Sequence, residues 1–97
     1  MYGLIVKMTL AAGRREEMIA LLKESAAAMP GCLSYVVAKD AADENILWVT
    51  EVWEIAASHD ASLSLPAVKN VIPQAKAIVT HFERVAVTNP VWDGGVG

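Results

Sequence analysis

A chain of 97 residues makes one domain, and 55% hydrophobic residues against 20% charged is a high apolar content for so small a globule. The formal charge of −3, without a Lys/Arg cluster, excludes a nucleic-acid footprint, and Lys7, Lys39 and Glu51 break the apolar windows before any can span a bilayer. The single cysteine, Cys32, cannot close an intramolecular disulfide, which points to a cytoplasmic protein.

Met1–Leu10 lacks the basic start and cleavage site of a signal peptide and reads as mature structure. Tyr2–Leu10, with Leu4, Ile5, Val6, Met8 and Leu10, is a strand that Gly13 terminates. Arg14–Met29 follows a helical period, with Met18, Leu22, Ser25 and Met29 on one stripe. Glu16 and Glu17 complement the dipole in its first turn, and Pro30-Gly31 ends it. Cys32–Lys39 is a second strand, Asp40–Asn45 a polar turn and Ile46–Glu54 a third strand, so the two strands form an antiparallel hairpin. Ile55–Leu65 turns helical. Pro66 restarts the chain into a helical segment over Ala67–Val79, which Pro73 should kink or restart. Thr80–Val87 is a fourth strand. The domain spans residues 1–88, and residues 89–97 form a glycine-rich tail holding Trp92.

The order β-α-β-β-α-β is that of an α+β, ferredoxin-like sandwich, with helices on one face of a four-stranded sheet. The strands read as apolar on both faces, and no element is left to cover the second. A second copy of the chain would cover it, giving a homodimer whose facing sheets enclose a dimeric α+β barrel.

On the third strand alternate side chains share a face, so Leu47, Val49, Glu51 and Trp53 point one way. A carboxylate among large apolar groups is costly unless it has a structural partner or a task, and both readings of Glu51 stand. Tyr35 on the second strand, Trp53 at the end of the third and His59 beside Asp60 on the following helix complete a small polar set on an apolar scaffold. His59 suits a general base or an orienting group, but also a helix-surface histidine beside Asp60. Tyr35 and Trp53 suit pocket walls or ordinary core aromatics. His81 reads as solvated and Cys32 as a small core residue. There is no metal-ligand spacing, phosphate-cradling glycine loop or nucleophile elbow, and the chain is too short for a flavin or nicotinamide domain, so neither metal nor cofactor is expected.

Pro30-Gly31-Cys32-Leu33-Ser34-Tyr35, then Glu51-Val52-Trp53, then Ser58–Pro66 running into Ala67-Val68 resemble, in order and spacing, the antibiotic biosynthesis monooxygenase family. The resemblance covers roughly Tyr2–Val87 and implies a dimeric α+β barrel with a cavity in each protomer. It also implies oxidation of a quinol, anthrone or other phenolic aromatic small molecule by molecular oxygen, without metal, flavin or haem. Carried onto this chain, it makes His59, Tyr35 and Glu51 candidate catalytic residues and Trp53, Val49 and Ser62 candidate substrate-binding residues. Two positions depart from the family pattern. Ser62 stands where many relatives carry a His, so His59 takes its place only if the helix turns a different face inward. Val49 stands where anthrone-oxidising members carry an Asn, and strand one lacks the Asn of haem-degrading members. A non-catalytic dimeric ligand-binding or stress protein, and an isomerase of a small oxygenated metabolite, remain the alternatives.

Overall fold

The computed structural model describes residues 1–95; Val96 and Gly97, the end of the expected tail, lie outside the described residues. The elements are β1 (Tyr2–Leu10), α1 (Arg15–Ser25), β2 (Cys32–Lys39), β3 (Ile46–Trp53), α2 (Ala56–Ser62), α3 (Pro66–Ile78) and β4 (Val79–Thr88). The sheet order is β2-β3-β1-β4, with every neighbouring pair antiparallel. This is the ferredoxin-like α+β arrangement expected from the element order.

Each strand sorts its side chains by alternation. Leu4, Val6, Met8 and Leu10 of β1 and Leu47 and Val49 of β3 pack with Met18, Leu21 and Leu22 of α1 and Val71 and Ile78 of α3, forming one core between sheet and helices. The opposite sheet face carries Ile5, Val36, Trp48 and Val52 beside Lys7, Thr9, Thr50 and Glu83, by the register of the strands. That face is mixed rather than uniformly apolar. Lys7 and Trp48 pair across β1 and β3, with the ammonium 5.6 Å from the ring centroid, and the Trp48 indole donates to Asp40 at 2.8 Å.

Three local departures from the sequence expectation have physical causes. The first helix stops at Ser25, and Ala26–Ala28 tightens into a 3₁₀ turn ahead of Pro30-Gly31. The Ile55–Leu65 segment is helical only over Ala56–Ser62, a helix with no side-chain cap. Pro73 sits inside α3 without dividing it, because Pro66 at the first turn sets the helix start and the apolar stripe Val71–Ile78 holds the rest in the core. No helix among the described residues is long and apolar enough to cross a membrane.

Gly31 fixes the placement of α2. Its φ is +81°, and an added Cβ would come within 2.6 Å of Ser58 Oγ. The Gly31 carbonyl also accepts the Glu54 N–H at 2.9 Å. Only a glycine permits this conformation together with so close an approach. The result is that α2 lies against the start of β2, with His59 carried over the Trp53 end of β3.

Candidate functional site

Between the sheet and the helices lies a cavity of about 280 Å³. Its walls are mostly aliphatic and thioether side chains from β1, α1 and α3, including Leu4, Val6, Met18, Leu22 and Val71. Into these walls are set Tyr35, Glu51, Trp53, His59, Ser62 and Arg84. Five of the six residues singled out from sequence therefore meet at one cavity. Val49 does not: it is 1% exposed and belongs to the core cluster below the cavity, so the structure does not place it where a ligand would touch it.

Register explains the convergence. Tyr35 pairs with Glu51, and Glu51 pairs with Leu4, so one row of side chains crosses β2, β3 and β1 on the helix-bearing face. The next row on that face is Cys32, Trp53 and Tyr2. Above this second row sits His59, whose ring meets Trp53 edge-on at 5.5 Å and Tyr2 at 5.8 Å between centroids.

Glu51 is 8% exposed, and its Oε1 accepts the Trp53 indole N–H at 3.0 Å. Burial pushes its carboxyl above the usual carboxylate range, while the Trp53 hydrogen bond and the charges of His59 and Arg84 pull it part of the way back. A carboxyl in this balance holds its proton more readily than an exposed one. Burial, reinforced by the Glu51 charge, raises the Tyr35 phenol well above its normal value. Tyr35 is thus a neutral hydroxyl, suited to donating a hydrogen bond rather than to accepting a proton, and it has no hydrogen-bond partner among the described residues. The same burial raises the Cys32 thiol, consistent with a packed rather than reactive cysteine.

His59 is 9% exposed, not a surface histidine. Its Nδ1 is fully buried and lacks a hydrogen bond; Asp60 Oδ1 lies 3.5 Å away, within ion-pair range but outside hydrogen-bond geometry, on a carboxylate that is itself mostly exposed. A buried ring nitrogen without a partner is uncommon enough to mark the site. Ser62 is 5% exposed and its hydroxyl donates to the His59 carbonyl at 2.6 Å, closing the last turn of α2. Positions 59 and 62 are three apart and share one helix face. Both line the cavity, so His59 reaches it without the helix turning a different face inward.

Sequence reading assigned no role to Tyr2, Phe82 or Arg84. Strand β4 mixes polar and apolar residues in both phases, so its inward set could not be read from alternation. A bulge at Val85 further shifts the register, leaving Phe82 opposite Met8 and Arg84 opposite Val6 on the cavity face. His81 is exposed on the other face, opposite Thr9. Among the described residues no group of three or more His, Cys, Asp and Glu side chains could hold a metal ion.

The family model described as antibiotic biosynthesis monooxygenase matches residues 1–74. The chain belongs to the antibiotic biosynthesis monooxygenase family. This family member superposes on a structure from Chloroflexus aurantiacus J-10-fl, which carries the same family name, with a TM-score of 0.92 and 47% identity, covering 99% of this chain and 98% of that one. Structures bearing the family name from Nitrosomonas europaea (TM-score 0.84, 12% identity, 95% of this chain and 100% of that chain) and Deinococcus radiodurans (0.79, 20%, 100% and 99%) share the fold. No curated protein matches the chain.

Proposed function

We propose that this antibiotic biosynthesis monooxygenase family member is a cofactor-independent monooxygenase that oxidises a quinol, anthrone or related phenolic aromatic molecule with molecular oxygen. The observation that carries this reading is the grouping of Glu51, Trp53 and His59, all nearly buried, at one apolar cavity. The reaction balances without an added reductant. A quinol gives up one proton to a base, and the electron-rich anion passes an electron to oxygen. The two radicals combine to a peroxide, and loss of water leaves a hydroxyquinone: one oxygen atom enters the substrate, and the other leaves as water with two substrate hydrogens.

The protein's task in this scheme is to bind a flat ring, exclude water and place a base. His59 takes the phenolic proton, Glu51 orients the substrate hydroxyl, Tyr35 donates a hydrogen bond, and Trp53 and Ser62 form walls. The protein acts as a homodimer, with Ile5, Val36, Trp48 and Val52 of the outward sheet face covered by a second copy; a monomer in equilibrium sedimentation at micromolar concentration would contradict that part.

The enzymatic reading is tested by oxygen uptake with a panel of quinols and naphthols. Uptake by the wild type, its loss in His59→Ala and partial recovery on adding imidazole support it. Ligand-induced thermal stabilisation with no uptake on any member of the panel favours the non-catalytic binding protein.

A further inference from the structure

We propose that Arg84 anchors a carboxylate on the substrate, so that the cavity takes hydroxylated aromatic acids in preference to uncharged phenols. The proposal rests on reading the cavity as a substrate site and specifies the class of molecule that enters it. Among the residues lining the cavity, Arg84 is the only lysine or arginine. Among the described residues it has neither a salt bridge nor a side-chain hydrogen bond, whereas Arg14 is held by Glu17 and Lys39 by Glu16. Its sequence neighbour Glu83 does not neutralise it, because Glu83 pairs with Lys7 in the alternate phase of the strand, on the other sheet face. Glu51 feels the charge of Arg84 but is not within ion-pair distance of it.

Arg84 is exposed at the cavity's rim, and a guanidinium there without a partner among the described residues is matched to a planar carboxylate, which can take two parallel N–H bonds. The sheet order sets the dimensions. Tyr35 lies on β2 and Arg84 on β4, the two edge strands, with Glu51 on β3 between them. Three strand spacings of about 4.8 Å put the two ends roughly 14 Å apart across the sheet. A fused-ring acid lying over the intervening β1 residues Leu4 and Val6 would reach Arg84 with its carboxylate and bring a hydroxyl on the far ring toward Glu51 and His59. The sequence match to the family model ends at residue 74, so Arg84 lies outside the stretch that carries the family signature. It is a feature by which this chain can select its own substrate.

The experiment is isothermal titration calorimetry of the full chain with 6-hydroxy-2-naphthoic acid and with 2-naphthol, for wild type, Arg84→Gln and Arg84→Lys. A bidentate, charge-assisted pair at this exposed rim position is worth at most about tenfold in affinity. The wild type should therefore bind the acid more tightly than the naphthol, by up to about tenfold. Arg84→Gln should remove that preference by weakening the acid far more than the naphthol, while Arg84→Lys should keep part of it. Raising the salt concentration should narrow the preference in the wild type only. Equal affinity of the wild type for both probes, no binding of either, or equal loss of both in Arg84→Gln would overturn the proposal. Turnover is a separate readout: an acid preference that depends on Arg84, with no oxygen uptake on any phenol, keeps the anchor and removes the oxygenase reading.

Discussion

The Trp53 indole donates its N–H to the Glu51 carboxylate from two positions along the same strand, at 3.0 Å, on a ring that is 0% exposed. Alternation on β3 makes this possible, since residues i and i+2 share a face. The indole meets the carboxyl with a neutral donor, so Glu51 gains a hydrogen bond without gaining a full counter-charge at contact distance. It remains a titratable group in an apolar wall, which is what a proton-handling site requires.

The Glu51 carboxyl lies above its ordinary value of 4.5 in the folded protein because burial disfavours its charge. A raised folded pKa means that the stability Glu51 contributes is fully present below the unfolded value and is lost as pH rises through the folded one. Glu51→Gln removes this titration while keeping shape. The thermal midpoint of the variant relative to wild type should therefore climb as pH increases from about 4 to 8. A difference that stays flat across that range would contradict the buried, charge-disfavoured carboxyl.

Trp53→Ala and Tyr35→Phe should separate packing from polar function. Emptying the fully buried Trp53 site should cost about 3–5 kcal/mol of stability and weaken ligand binding as well. The Tyr35 hydroxyl has no intramolecular partner among the described residues, so Tyr35→Phe should change stability by no more than about 0.5 kcal/mol while lowering turnover. Chemical denaturation of both variants beside oxygen uptake checks this; full activity in Tyr35→Phe removes the hydroxyl from the site.

Gly31 and Gly13 offer a matched comparison. Both have positive φ, +81° and +76°, but a Cβ at Gly13 meets nothing within 4 Å while one at Gly31 meets Ser58. Gly13→Ala should cost only the backbone term, on the order of 1–2 kcal/mol. Gly31→Ala should cost clearly more and, by displacing α2, also disturb His59. Equal losses in urea denaturation would show that the approach of Ser58 does not constrain α2.

Trp92 is 65% exposed in the protomer, an expensive placement for an indole that has only Val91 beside it among the described residues of the tail. In the homodimer proposed above, the tail docks this ring on the second copy. Trp92→Ala should then raise the dimer dissociation constant, read by sedimentation velocity, without altering the far-ultraviolet circular dichroism of the protomer. An unchanged dissociation constant would mean that the tail takes no part in assembly.

The fold was legible because its strands are long apolar runs bounded by Gly13, Pro30-Gly31 and the polar Asp40–Asn45 turn, and because Met18, Leu22 and Ser25 keep one helical phase. The inward row of β3 was legible for the same reason: alternation alone puts Glu51 and Trp53 together. What the sequence hid depends on tertiary geometry. Val49 has the right phase to reach the cavity, but packing places it in the core beneath. Whether His59 faces inward depends on how its helix docks, and a seven-residue helix set against Gly31 turns both His59 and Ser62 inward. Arg84 escaped notice because β4 is polar in both phases and its register shifts at a bulge that only the pairing with β1 reveals.

The most direct test of the central claim is turnover of a quinol or hydroxynaphthoic acid under ¹⁸O₂ by metal-depleted, dialysed protein. Product mass and oxygen uptake are followed together, for wild type and His59→Ala. A cofactor-independent monooxygenase with His59 as its base should put one labelled oxygen atom in the oxidised product, consume one molecule of oxygen per product, need no added reductant, and lose activity in His59→Ala. Unlabelled product with hydrogen peroxide released in equal amount, or labelled product formed equally well by His59→Ala, would contradict it.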